Sequence, residues 1–147
     1  MTISVDRAAP VVVTTSIHVD APIDTVWRLL ADIGRWPTWN QAVKQVTLEG
    51  PVQSGLGFRW KSGPGWIRST LLALESPTTI AWSGNTMGIK AIHTYRLTEA
   101  GGGVDVETEE SWDGLPPKIF RGPLHKTLDK ALRGGLTDLK AAAEAGS

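Results

Sequence analysis

The chain contains no cysteine. Disulfides, thiolate nucleophiles and cysteine-based metal sites are therefore excluded. It has no net charge at neutral pH, so nothing pulls it as a whole toward nucleic acid or anionic lipid. Its apolar runs are short and broken by polar residues, which leaves no candidate membrane-spanning helix. Residues Met1–Pro10 hold a single arginine and no apolar stretch, unlike a secretory leader, and the expected compartment is the cytoplasm. The three histidines, His18, His93 and His125, fall in separate segments without ligand spacing, so no metal is expected. No nucleophile elbow, phosphate loop or dinucleotide fingerprint occurs, and no cofactor is expected.

What is present is tryptophan. Seven tryptophans stand beside one tyrosine and two phenylalanines. Trp is bulky and carries one N–H that seeks an acceptor; it can fill a core or grip a flat apolar ligand. With 147 residues, 41% of them hydrophobic, one folded domain is expected over residues 11–145, preceded by a flexible N-terminus at residues 1–10.

Periodicity orders the elements. Val11, Val13, Thr15, Ile17 and Val19 alternate with Val12, Thr14, Ser16 and His18, which is the pattern of a half-buried strand and turns His18 outward. Asp20-Ala21-Pro22 opens a helix, with proline in the first turn. Ile23, Val26, Trp27 and Leu30 form its apolar stripe, and Gly34 is the expected stop. A second short helical turn is expected from Pro37 around Trp39 and Asn40. Six strands follow, near 43–48, 56–61, 66–75, 79–83, 89–98 and 104–112, divided by glycine- and proline-rich turns. After Gly114-Leu115-Pro116-Pro117, the residues Leu124, Leu128, Leu132, Leu136 and Leu139 recur at helical spacing to about Glu144. The sheet has one apolar face, and only this last helix is long enough to cover it.

This order, together with Asp20-Ala21-Pro22, Val26-Trp27, Asp32–Asn40, Ile80-Ala81-Trp82 and Glu109-Glu110-Ser111-Trp112, resembles the SRPBCC superfamily. Within it the chain is similar to the polyketide cyclase/dehydrase and lipid transport branch of the START/Bet v 1-like helix-grip group. The resemblance implies an α+β fold: a curved antiparallel seven-stranded sheet wrapped around a long C-terminal helix, with two short helices between strands 1 and 2. Trp36 and Trp39 would wedge those short helices against the rest; the alternative is that one of them also lines the cavity mouth. The resemblance further implies a small hydrophobic ligand, lipid-like or polyketide-like, in a central cavity. An aromatase/cyclase acting on a poly-β-ketone is the alternative, and a protein-binding module of the chaperone-activator kind is a third. Neither nucleic acid nor stable membrane insertion is expected, and the chain should be a monomer or weak homodimer.

Alternation places the ligand-facing set. Phe58, Trp60, Ile80, Trp82, Ala91, His93, Tyr95, Glu110 and Trp112 should point inward from the strands, and Leu128, Leu132 and Gly135 from the helix. Lys90, Thr94 and Arg96 should face water, as should Asp105, Glu107, Glu109 and Ser111. His93, Tyr95 and Glu110 are the candidate catalytic residues. They form either an acid/base cluster suited to proton transfer beside a carbonyl or a hydrogen-bonded group that orients a ligand. Gly134-Gly135 either opens space for that ligand or is a tolerated weak point in the helix.

Overall fold

The computed structural model describes residues 3–63 and 65–146. Seven strands run β1 (Val11–Val19), β2 (Val43–Leu48), β3 (Gly57–Ser62), β4 (Gly65–Glu75), β5 (Thr79–Thr86), β6 (Ile89–Ala100) and β7 (Gly103–Asp113). Consecutive strands from β2 to β7 form an antiparallel meander. β1 adds to its far edge against β7, giving the order β1-β7-β6-β5-β4-β3-β2.

Between β1 and β2 lie α1 (Ile23–Ala31) and a 3₁₀ helix (Ile33–Thr38). α1 ends at Ala31 rather than at Gly34, because Asp32 leaves helical geometry at φ −84° and ψ 72°. The second turn accordingly starts earlier than expected and carries Pro37 inside it. After β7 comes a five-residue helix, α2 (Leu115–Ile119), and then α3 (Arg121–Ala145), which runs through Gly134 and Gly135 without a break.

α3 packs its leucine stripe on the concave side of the sheet, with Leu128, Leu132, Leu136 and Leu139 all buried. Each such side chain contributes roughly 1.5–3 kcal/mol on burial. Leu136 and Leu139 join the main core with Trp27, Trp36, Phe58 and Tyr95. Leu128 and Leu132 meet Val11 and Val13 of β1. Polar bonds secure the C-terminal half of α3. Asp138 accepts from the Gln41 backbone N–H at 2.9 Å and from its side-chain amide at 3.2 Å. Lys140 donates to the His18 carbonyl at 2.8 Å, and Glu144 accepts from the Asp20 N–H at 2.8 Å.

The convex face departs from simple alternation. Residues 3–9, expected to belong to a loose N-terminal tail, lie across β6 and β7, with Val5 buried and the Asp6 N–H donating to Ser111 Oγ at 3.0 Å. Thr94, Glu109 and Ser111 do point to this outer side, but they are buried there, not solvated. Glu109 is held by Thr14 Oγ1 at 2.8 Å, Arg7 at 2.8 Å and Arg96 at 3.5 Å. Period two gives the side of the sheet and says nothing about what covers it.

Candidate functional site

A cavity of about 230 Å³ lies between the concave face of the sheet and α3. Its walls are aromatic. Trp82 tilts against Trp36 at a centroid distance of 4.8 Å and stacks with Tyr95 at 5.8 Å, and Tyr95 stacks in turn with His93 at 5.0 Å. Trp36 meets Phe58 and Trp60 edge-on at 5.8 and 6.0 Å. Several tryptophan N–H groups are satisfied inside the protein. Trp36 donates to the Leu30 carbonyl at 3.0 Å, Trp39 to Leu29 at 3.2 Å and Trp60 to Ser69 Oγ at 3.0 Å. The rings can therefore present apolar faces to the cavity without stranding a donor.

One corner is polar. β6 and β7 pair so that His93 lies opposite Glu110, and His93 Nδ1 is 2.9 Å from Glu110 Oε1. The second carboxylate oxygen accepts from Trp112 Nε1 at 2.6 Å. His93 Nε2 lies 2.8 Å from Thr108 Oγ1, whose own proton goes to the Thr94 carbonyl at 3.0 Å. A carbonyl can only accept, so the threonine proton is committed and Nε2 must carry the hydrogen that it gives to Thr108. One proton is then left to bridge Nδ1 and Glu110. Tyr95 closes the corner. Its burial holds the phenol well above its ordinary range, so it stays neutral.

Of the residues expected to face a ligand, Trp60, Trp82, Ala91, His93, Tyr95, Glu110, Trp112, Leu128, Leu132 and Gly135 all line this cavity. Phe58 and Ile80 do not. They point inward but are wholly buried in the core. A Cβ added at Gly135 would sit 3.3 Å from the Tyr95 hydroxyl and 3.9 Å from Asn40 Nδ2, so a side chain there would enter the cavity, whereas one at Gly134 would meet nothing. Alternation along the strands did not reveal the wall built by Trp36, Trp39 and Asn40 from the 3₁₀ segment, or that built by Met87 at the β5–β6 turn. The clustering of Trp36 and Trp39 around Pro37 was the available signal. The exposed lining residues Ala42, Met87 and Ala131 mark where the cavity opens. Among the described residues no His, Asp and Glu group could hold a metal ion, and no helix is long and apolar enough to cross a membrane.

An open antiparallel sheet folded over one long helix, with a cavity between them, defines a helix-grip protein of the SRPBCC type. The chain belongs to the polyketide cyclase / dehydrase and lipid transport family, whose profile matches residues 10–144. None of the curated proteins matches it. Solved structures share the fold at low identity. A hypothetical protein from Helicobacter pylori superposes with a TM-score of 0.83 at 14% identity, covering 93% of this chain and 90% of that one. A START superfamily protein from Mycobacterium smegmatis gives 0.78 at 14% identity, covering 92% and 99%. The di-domain ARO/CYC BexL of the BE-7585A biosynthetic pathway gives 0.76 at 17% identity, with 90% of this chain covering half of that one.

Proposed function

We propose that the protein binds one compact, flat, largely apolar small molecule in this cavity and orients it through the His93–Glu110 corner. The observation that carries the reading is an aromatic cavity with an internally hydrogen-bonded polar corner at His93 and Glu110. Its volume of about 230 Å³ lies below the roughly 300–1,000 Å³ typical of small-molecule sites, which restricts it to a compact ligand. Nε2 of His93 is bound as a donor and Nδ1 faces Glu110, so neither ring nitrogen is a free base. The corner can still offer oxygen atoms and the phenol to a ligand carbonyl or hydroxyl. The test is titration with flat hydrophobic probes, followed by intrinsic tryptophan fluorescence. A saturable change is expected, and Gly135→Leu, which fills the cavity beside Tyr95, should weaken binding at least about tenfold. Unchanged affinity in a folded Gly135→Leu protein would place the ligand elsewhere.

A second reading has one observation in its favour: a histidine–carboxylate pair at 2.9 Å inside an apolar cavity. A cyclase acting on a poly-β-ketone would use it to move a proton beside a carbonyl. The two readings separate at Glu110→Gln. For a binder, affinity shifts modestly, because the amide keeps the shape and one acceptor. For a cyclase, probe binding survives and turnover of a poly-ketone substrate is lost.

A further inference from the structure

The cavity has a second polar feature, on the side of α3. Gly135 has no side chain, and the point its Cβ would occupy lies 3.3 Å from the Tyr95 hydroxyl and 3.9 Å from Asn40 Nδ2. All three residues line the cavity. Glycine weakens a helix interior relative to alanine, yet α3 carries one here on its buried face. The gap it leaves is faced by two hydrogen-bonding groups.

Both groups present hydrogen. Asn40 Oδ1 accepts from the Ala42 N–H at 3.0 Å. An N–H can only donate, so that atom is the amide oxygen, and the end turned toward Gly135 is the NH₂. Thr108 gives its one proton to the Thr94 carbonyl, so it has none to give to Tyr95. The phenol keeps its own proton, because burial and the neighbouring Glu110 charge both oppose its ionisation. A hydroxyl hydrogen swings about its C–O bond to suit an incoming acceptor. An oxygen atom placed before Gly135 therefore meets two donors.

The surroundings select the charge of that oxygen. Among the described residues no Lys or Arg lines the cavity. The His93–Glu110 pair shares one proton across its 2.9 Å contact and carries no net charge. An ionised ligand would lose its hydration here without meeting a counter-ion, which is costly in an apolar site. An uncharged carbonyl gives up far less on leaving water and recovers hydrogen bonds from the two donors.

We propose that Tyr95 and Asn40, with the gap at Gly135, form a subsite for one carbonyl oxygen (ketone, ester or amide) of an uncharged ligand, and that the cavity rejects the corresponding carboxylate. The inference rests on the cavity being the ligand site and adds the functional group that the ligand must carry.

The experiment titrates the whole protein by calorimetry with three probes of nearly one shape: ethylnaphthalene, acetylnaphthalene and naphthoate, all substituted at the same ring position. The quantity read is the ratio of acetyl to ethyl affinity within one protein, in which packing and folding losses common to both probes cancel. A carbonyl moved into an apolar site without donors binds worse than the hydrocarbon, so a ratio above unity already reports donors. The parent should favour the ketone by about tenfold and bind the carboxylate at least about 100-fold more weakly than the ketone. Tyr95→Phe and Asn40→Asp should each lower the ratio by about tenfold, and the aspartate keeps the acceptor for Ala42. Gly135→Ala, whose methyl group fills the gap, should lower it likewise, whereas Gly134→Ala, whose methyl group meets nothing, should leave it as it is. A parent ratio at or below unity, a ratio unmoved by both Tyr95→Phe and Asn40→Asp, or a carboxylate bound as tightly as the ketone would overturn the subsite while leaving the cavity as a binding site. If none of the three probes binds saturably, the cavity reading falls and the subsite falls with it.

Discussion

Trp36 and Trp39 sit three residues apart in the same turn and do different work. Trp36 is buried, donates to Leu30 and contacts Phe58, Trp60 and Trp82. Truncating such a ring costs about 3–5 kcal/mol, and Trp36→Ala is expected to lower the urea unfolding midpoint accordingly. Trp39 is only half buried and lines the cavity, so Trp39→Ala should cost clearly less stability. Equal losses in the two variants would contradict this division. Thr108 makes a third test at this scale. It accepts from His93 and donates to Thr94 while itself buried. Thr108→Val keeps the volume but strands the His93 N–H, at a cost of about 1–3 kcal/mol. If Thr108→Val unfolds at the same denaturant concentration as the parent, the hydrogen assignment at His93 is wrong.

Among the elements, the N-terminal segment and the outer face of β7 are joined by Glu109, whose side chain is 5% exposed. Burial alone would raise its carboxyl, but the Thr14 hydroxyl and the Arg7 and Arg96 guanidinium groups outweigh it and hold the group below its ordinary range. Its folded value is thus lower than its unfolded value. The stability it contributes is fully present above the unfolded value, about 4.3, and is lost as pH falls through the folded one. Urea midpoints at neutral pH and near pH 3 should show the parent losing its advantage over Glu109→Gln in acid. An advantage that persists undiminished would mean that the ionised carboxylate is not what secures the strap. His18 has the opposite sign. Asp105 and Asp20 raise it, so its contribution is complete below about pH 6.5 and fades as pH rises through the folded value. The group is exposed, so the effect on the midpoint should be small.

At the scale of the whole molecule, α3 supplies the cover for the sheet. Its C-terminal half is tied by Asp138, Lys140 and Glu144 to the two ends of the α1 region. Its first turns carry mainly intrahelical bonds and border the cavity opening. Ending the chain before Leu124 should abolish cooperative unfolding, because the concave face would lose its cover. A truncated protein that still melts sharply near the parent temperature would show the sheet to be stable alone. Hydrogen exchange should likewise be faster in residues 121–127 than in residues 136–143.

Local periodicity was enough to establish the type and order of the main elements. Strand alternation at Ala91, His93, Tyr95 and Glu110, Trp112 and the four-residue leucine spacing of α3 each report a face, because side-chain direction is built into the backbone period. Which inward residues meet empty space depended on packing between distant segments. Phe58 and Ile80 face the same way as Trp60 and Trp82 yet are sealed in the core. Trp36 reaches the cavity only because the 3₁₀ helix brings it onto the sheet. The outer face shows the same limit. Thr94 and Glu109 carry the outward parity of solvated residues, yet both are buried in the folded protein. The chain that covers them lies some ninety to one hundred positions earlier, and no local period records that contact. The tautomer of His93 is likewise a tertiary property. It follows from where one threonine hydroxyl sends its single proton, and that becomes decidable only once β6 and β7 are paired in register.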